Sequence, residues 1–200
     1  MARLSLTKAS LTKEKSLLRT FQDVLPSLDM KRRQISAERE KARRQLAEAV
    51  QTAEAIEPDV AVRLPMVANE AINLDHLVTI SRLEIGEENL MGTRLPTLQA
   101  LEFRISHYGL LTKPFWVDAL IVVLKAAIEA NIRIQLARRR VEFLQEAERT
   151  VTQRYNLFDK VLIPRARKNI REISIYLSDA ERAGVVNSKI AKRKKERQNP

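Results

Sequence analysis

From Val117 to Ala180 apolar side chains return every three or four residues: Val117, Leu120, Leu124, Ala127, Ala130, Ile134, Ala137, Val141 and Leu144, then Ala147, Val151, Tyr155, Phe158, Leu162, Ala166, Ile170, Ile173, Leu177 and Ala180. This is the spacing of one helical face. At 1.5 Å per residue a helix carrying that stripe from its start near Pro114 is ~95 Å long. A rod of that length cannot bury the stripe against itself, so it requires a second helix.

The N-terminal segment supplies one. Leu18, Leu25, Arg32, Arg39, Leu46 and Ala53 fall in one heptad register, and Phe21, Leu28, Ile35, Ala42, Ala49 and Ile56 in the other. Two such registers form the seam around which paired helices wind. Arg32 and Arg39 weaken the seam locally and Pro26 interrupts it. The pattern predicts a first helix over about Thr7 to Glu57, bent near Pro26 and stopped by Pro58 and Pro65. The second stripe contains Pro164 within "RYNLFDKVLIPRARKNIREISIYLSDAER". An interior proline removes a backbone hydrogen bond and clashes with the preceding turn, at a cost of roughly 3 kcal/mol. The stripe is therefore either two helices or one bent helix.

Between the stripes, residues 58–112 lose the helical period. "LVTISRLEI" (Leu77 to Ile85) is rich in β-branched residues and precedes Gly86, Gly92 and a second apolar run, "TRLPTLQALEFRI". This pattern reads as a short hairpin whose turn carries the two glycines. The expected organisation is an N-terminal helix at 1–57, a connector with the hairpin at 58–112, a C-terminal helix at 113–185 and a basic tail at 186–200. The expected fold class is all-α: a long antiparallel two-helix coiled coil of the N- and C-terminal helices, with a small β-hairpin module in the connector. Only 4% of residues are aromatic and only four are glycine, which disfavours a compact globule.

The net charge of +11 is uneven: +4 over 1–57, −3 over 58–112, +5 over 113–180 and +5 over 181–200. With no cysteine, disulfides and thiolate metal sites are excluded. The first residues, "MARLSLTKASLTKEK", lack the apolar core of a signal peptide. The most apolar run, Ala119 to Leu124, falls far short of the ~20 residues that span a bilayer. A cytosolic chain without direct membrane insertion is expected. There is no glycine-rich phosphate loop, HExxH or GxSxG. His76 and His107 stand singly, and Glu87–Glu88 sit in a turn where solvation is the ordinary role. No catalytic residue, cofactor site or metal site is expected. The tail run Lys192, Arg193, Lys194 and Lys195 admits three readings: phosphate neutralisation on a nucleic acid, contact with an acidic protein surface, or a solvated end. Arg138 to Arg140 wrap around a helix rather than lining one face, and no aromatics interleave with these charges to stack bases.

Three blocks, in order, resemble the D subunit of the V-type (V/A-type) rotary ATPases, the central rotor shaft. "LPSLDMKRRQI" is similar to the family's first-helix pattern at Lys31, Arg32, Arg33 and Ile35. "LVTISRLEI…GTRLP" is similar to its hairpin, with Leu95–Pro96 on the return strand. The proline-bearing block matches at Arg154, Asn156, Leu157, Ile163, Pro164, Ile170, Ile173, Leu177, Glu181 and Arg182. The chain departs from the pattern at Pro26, at Ala166 and Asn169 where the family has Leu and Thr, and over residues 58–76.

The resemblance implies that Pro164 is the bend of one continuous helix. It also implies a non-catalytic shaft that turns inside a ring of catalytic and non-catalytic subunits, coupling ATP hydrolysis or synthesis to ion flow through a membrane rotor ring. The implied partners are those ring subunits, a small central-stalk subunit and an adaptor to the membrane ring, with no nucleic acid; the implied location is cytoplasmic and peripheral to the membrane. The implied ring contacts are Lys8, Lys13, Lys15, Arg182, Lys189, Lys192 and Arg193, and the implied partner surface of the hairpin is Thr79, Ile80, Leu83, Leu95 and Pro96. From composition alone, a basic coiled-coil protein that binds nucleic acid or bridges partners is the alternative.

Overall fold

Thr7 starts the first helix: its Oγ1 accepts the Ser10 N–H at 3.2 Å, capping one of the donors that a helix start leaves without a partner. From there, in a computed structural model that describes residues 4–68, 76–106 and 116–198, α1 runs over Lys8–Glu54. The helix continues through Pro26, next to which the Ser27 hydroxyl donates to the Val24 carbonyl at 2.8 Å. All twelve heptad residues named above are buried or half-buried, with Ile35 at 0% and Ala42 at 3% exposure. The seam is therefore the packed face.

Sequence alone carries the helix to Glu57; in the structure it stops at Glu54. A proline ring collides with the carbonyl four residues back, and Glu54 lies four residues before Pro58. The same proline then occupies the first turn of α2 (Ile56–Arg63), where its missing N–H removes no helical bond. Pro65 ends α2 and opens a short 3-10 turn, Pro65–Ala68. Pro58 thus divides the helix instead of terminating helical structure.

The hairpin consists of β1 (Val78–Leu90) and β2 (Thr93–Ile105), antiparallel, with Val78 opposite Ile105 and Leu90 opposite Thr93. β2 coincides with the second apolar run, whereas β1 extends past the expected Ile85 because it runs on through Gly86. Gly86 pairs with Thr97 inside the ladder and is not part of the turn. A Cβ on Gly86 would enter the side chain of Gln99, the extra residue of a bulge opposite Glu84 and Ile85. The turn is Met91–Gly92, with φ of 53° and 83°. Two positive φ values in a two-residue loop are those of a type I′ turn, whose twist matches the strands. Asn89 Oδ1 accepts the Gly92 N–H at 2.9 Å.

The C-terminal helical run comprises α3 (Trp116–Leu157), a π turn (Phe158–Leu162) and α4 (Ile163–Gln198), with no break between them. Of the two readings open at Pro164, the structure takes the continuous helix. It adds that the proline follows a widened turn, in which Ile163 N–H bonds the Phe158 carbonyl five residues back. The expected helix start at Pro114 lies outside the described residues.

The chain divides into two compact units, Met1–Arg32 with Thr150–Pro200, and Arg33–Arg149. In the first, the N- and C-terminal helices run antiparallel. Lys8 pairs with Glu181 at 3.5 Å, Asn169 Nδ2 donates to Glu14 Oε2 at 3.2 Å, and the Phe21 and Phe158 rings meet edge to face at 5.5 Å. The Arg32 guanidinium lies 4.6 Å from the centre of the Tyr155 ring, a cation–π contact that accommodates a charge on the seam.

The second unit repeats the antiparallel arrangement between α1 and α3. Arg39, the other seam cation, forms an ion pair with Glu148 at 2.5 Å, although the approach is not that of an aligned hydrogen bond. Nearer the hairpin, Ala49, Thr52 and Ile56 face Ala126, Ala130 and Arg133 across a cavity of ≈ 280 Å³ that small side chains leave unfilled. A separate core gathers Leu64, Leu77, Trp116, Val117, Leu120 and Ile121 where α2, the start of β1 and the start of α3 converge. His76, at φ 56°, turns the chain into β1, and its carbonyl accepts the Ser106 hydroxyl at 2.5 Å.

Candidate functional site

Two surfaces hold the residues singled out from sequence, one in each unit. In the first unit the Lys8–Glu181 ion pair places the start of α1 beside Arg182, which lies 3.8 Å from Asp179. Lys13 and Lys15 are exposed on either side of Glu14, whose carboxylate takes the Asn169 amide. Lys8, Lys13, Lys15 and Arg182 thus share one end of the paired helices. The helix α4 then continues past Glu181 to Gln198, and every residue from 183 to 195 is exposed. Lys189, Lys192 and Arg193 belong to this stretch, together with Val185, Val186 and Ile190, which are about half-exposed. Cations and apolar side chains therefore stand together on a stretch of α4 that is exposed throughout.

In the second unit the strand register sorts the hairpin residues by face. Directly paired residues project to the same side of a sheet and successive residues to opposite sides. One face consequently collects the pairs Val78/Ile105, Ile80/Phe103, Leu83/Leu101 and Ile85/Leu98, with Pro96 opposite Glu87 beyond them. Ile80, Leu83, Ile85 and Ile105 are 40–53% exposed. The hairpin thus has a continuous apolar face that is partly open to water.

The other face carries Thr79/Arg104, Arg82/Glu102 and Glu88/Leu95. Arg82 bridges Glu84 and Glu102, and Glu88 accepts Arg140 of α3 at 2.8 Å. The hairpin residues expected to form one surface are thereby separated. Ile80, Leu83 and Pro96 lie on the apolar face, whereas Thr79 lies on the reverse and Leu95 is completely buried. Leu95 is a core residue, not a contact available to a partner. Ile85, Leu98, Leu101 and Phe103 complete the apolar face and were not singled out from sequence; their period-two spacing is visible, but two bulges shift which residues face together.

Among the described residues, no cluster of three or more His, Asp or Glu side chains could hold a metal ion. No helix among them is long and apolar enough to cross a membrane.

The pattern of the family described as the ATP synthase D subunit matches residues 10–193. The V-type ATP synthase D subunit of Borreliella burgdorferi is 30% identical over 192 residues, covering 96% of this chain and 95% of that protein. The protein of the same name from Chlamydia muridarum is 31% identical over 198 residues, covering 96% of each. Matched from the first turns of α1, through the hairpin, to the basic end of α4, this chain belongs to the ATP synthase D-subunit family.

Proposed function

We propose that this chain is the central-stalk rotor shaft of a V/A-type rotary ATPase, coupling ATP hydrolysis or synthesis in a ring of catalytic and non-catalytic subunits to ion translocation by a membrane rotor ring. It contributes no chemistry. It acts as a mechanical part of a complex held at the membrane by other subunits. The observation that carries this reading is the antiparallel pairing of the N- and C-terminal helices, with apolar seams packed inward and most cations outward, in a member of the D-subunit family. A turning part needs a surface whose contacts are weak enough to break and reform, and exposed ion pairs, screened by salt, have that property.

The ends of the first unit, with Lys8, Lys13, Lys15, Arg182, Lys189, Lys192 and Arg193, are the side that meets the ring. The apolar hairpin face, centred on Ile80, Leu83 and Pro96, is the side that takes the small central-stalk subunit, and an adaptor joins the shaft to the membrane ring. The test is reconstitution. A complex prepared without this chain should hydrolyse ATP without moving ions, and adding the purified chain should restore coupled transport. If coupled transport is the same with and without the chain, it is not the shaft.

A further inference from the structure

The C-terminal helical run changes its hydrogen bonding between Phe158 and Leu162. On the near side of that π turn Val151 is buried and Phe158 is held edge-on to Phe21; on the far side Ile163 and Ala166 are buried at 6% and 3% exposure. Leu162 is half-buried, as Phe158 is, but the fully packed position beyond the turn is Ile163, five residues from Phe158, where steps of three or four suffice elsewhere. Only a turn wider than α keeps both residues on one face. The turn thus holds one residue more than an uninterrupted seam requires, and Val161 within it is 50% exposed. Pro164 follows two residues after the turn ends.

These features act on the same carbonyls. Ile163 N–H bonds Phe158 and bypasses Asp159, and Pro164 has no N–H to offer Lys160. The carbonyls of Asp159 and Lys160 therefore lack their regular donors four residues ahead. The side chains of Asp159, Lys160 and Val161 are all exposed, so little packing opposes movement of the turn. Local opening is easiest where backbone bonds are missing and buried contacts are few.

We propose that the Phe158–Leu162 turn and Pro164 form a single hinge, which opens locally while the helix on both sides stays closed. Phe158 on Phe21 and the buried Ile163 are its two anchors. The hinge is a property of the chain itself and stands independently of the shaft reading.

Amide exchange resolved by NMR on the full-length chain tests it. Amides of Val161, Leu162 and Ile163 should exchange on the order of tenfold faster or more than those of Val151 and Ile173 in the flanking helix. Three variants separate the contributions. Deleting Val161 alone returns the seam to a four-residue step but forces the proline into a regular helix, so the melting temperature should fall by several degrees, roughly what one lost helical bond and a ring clash produce. Pro164→Ala alone should keep the wide turn, because the seam still demands the five-residue step. Combining the two should give an uninterrupted α-helix with a melting temperature at or above the parent's and with slow exchange across 159–165. Parent amides as protected as their neighbours would overturn the hinge. So would a Val161 deletion as stable as the parent, or a combined variant that fails to fold or still exchanges fast.

Discussion

Ile35 and Ile173 are completely buried on the two paired helices, whereas Val185, on the same α4 as Ile173, is 56% exposed. Removing buried methyl groups costs the transfer free energy of those atoms plus the cavity they leave, so Ile35→Ala and Ile173→Ala should each destabilise by about 2–5 kcal/mol in urea unfolding. Val185→Ala should change stability by less than about 0.5 kcal/mol, as surface substitutions ordinarily do. Equal effects at all three positions would mean that burial does not rank these side chains. Backbone conformation decides another position. Met91 holds φ 53°, a region that costs a side chain of its kind roughly 1–2 kcal/mol and that asparagine tolerates. Met91→Asn creates the Asn-Gly pair preferred in type I′ turns. It should stabilise the hairpin by up to about 1 kcal/mol, seen as slower amide exchange along β1 and β2. Faster exchange would show that the Met91 side chain makes a contact worth more than the turn preference.

Elements differ in how far the sequence disclosed them, and the differences have physical causes. The paired helices were legible because a heptad repeats the same contact many times, so Arg32 and Arg39 could not hide the pattern; the structure meets each cation with a specific partner, Tyr155 and Glu148. The π turn was not legible, because a four-residue step to Leu162 fits the stripe as well as the five-residue step to Ile163 that the packing uses. Pro58 misled for a related reason: a proline marks a boundary four residues upstream as well as at its own position. In the hairpin, alternation disclosed the strands, but the bulges at Ser81 and Gln99 reassign the faces. That reassignment yields a prediction at this scale. Replacing Ile80, Leu83 and Ile85 together by serine should leave the melting temperature close to the parent's, since all three are more than two-fifths exposed, while recovery of the small stalk partner in pull-downs falls. Leu95→Ser, by contrast, buries a hydroxyl and opens a cavity, and should destabilise by about 2–4 kcal/mol. Undiminished recovery of the partner with the triple variant would remove the apolar face from the interface.

At the scale of the whole molecule the dominant quantity is charge. The chain carries +11, of which +5 falls in its last twenty residues, and Lys192, Arg193, Lys194 and Lys195 are all exposed on α4. Solvated-end and acidic-partner readings of this run make opposite predictions in a salt series. Charges separated by more than the Debye length hardly interact, and that length shrinks from ~30 Å at 0.01 M salt to ~8 Å at 0.15 M. If the run meets an acidic surface of the ring, changing all four residues to glutamine removes an attraction that is strongest in dilute salt. The deficit in assembled complex relative to the parent should then be largest at low ionic strength and should close as salt is raised. Apolar neighbours at Val185, Val186 and Ile190 would supply the remainder that salt does not touch. Complex recovery and ATP turnover, measured for both proteins from 0.01 M salt upward, decide between the readings. Superimposable curves would make the run a solvated end, and a deficit that persists unchanged at high salt would assign its contribution to packing of the lysine and arginine stems instead of their charge.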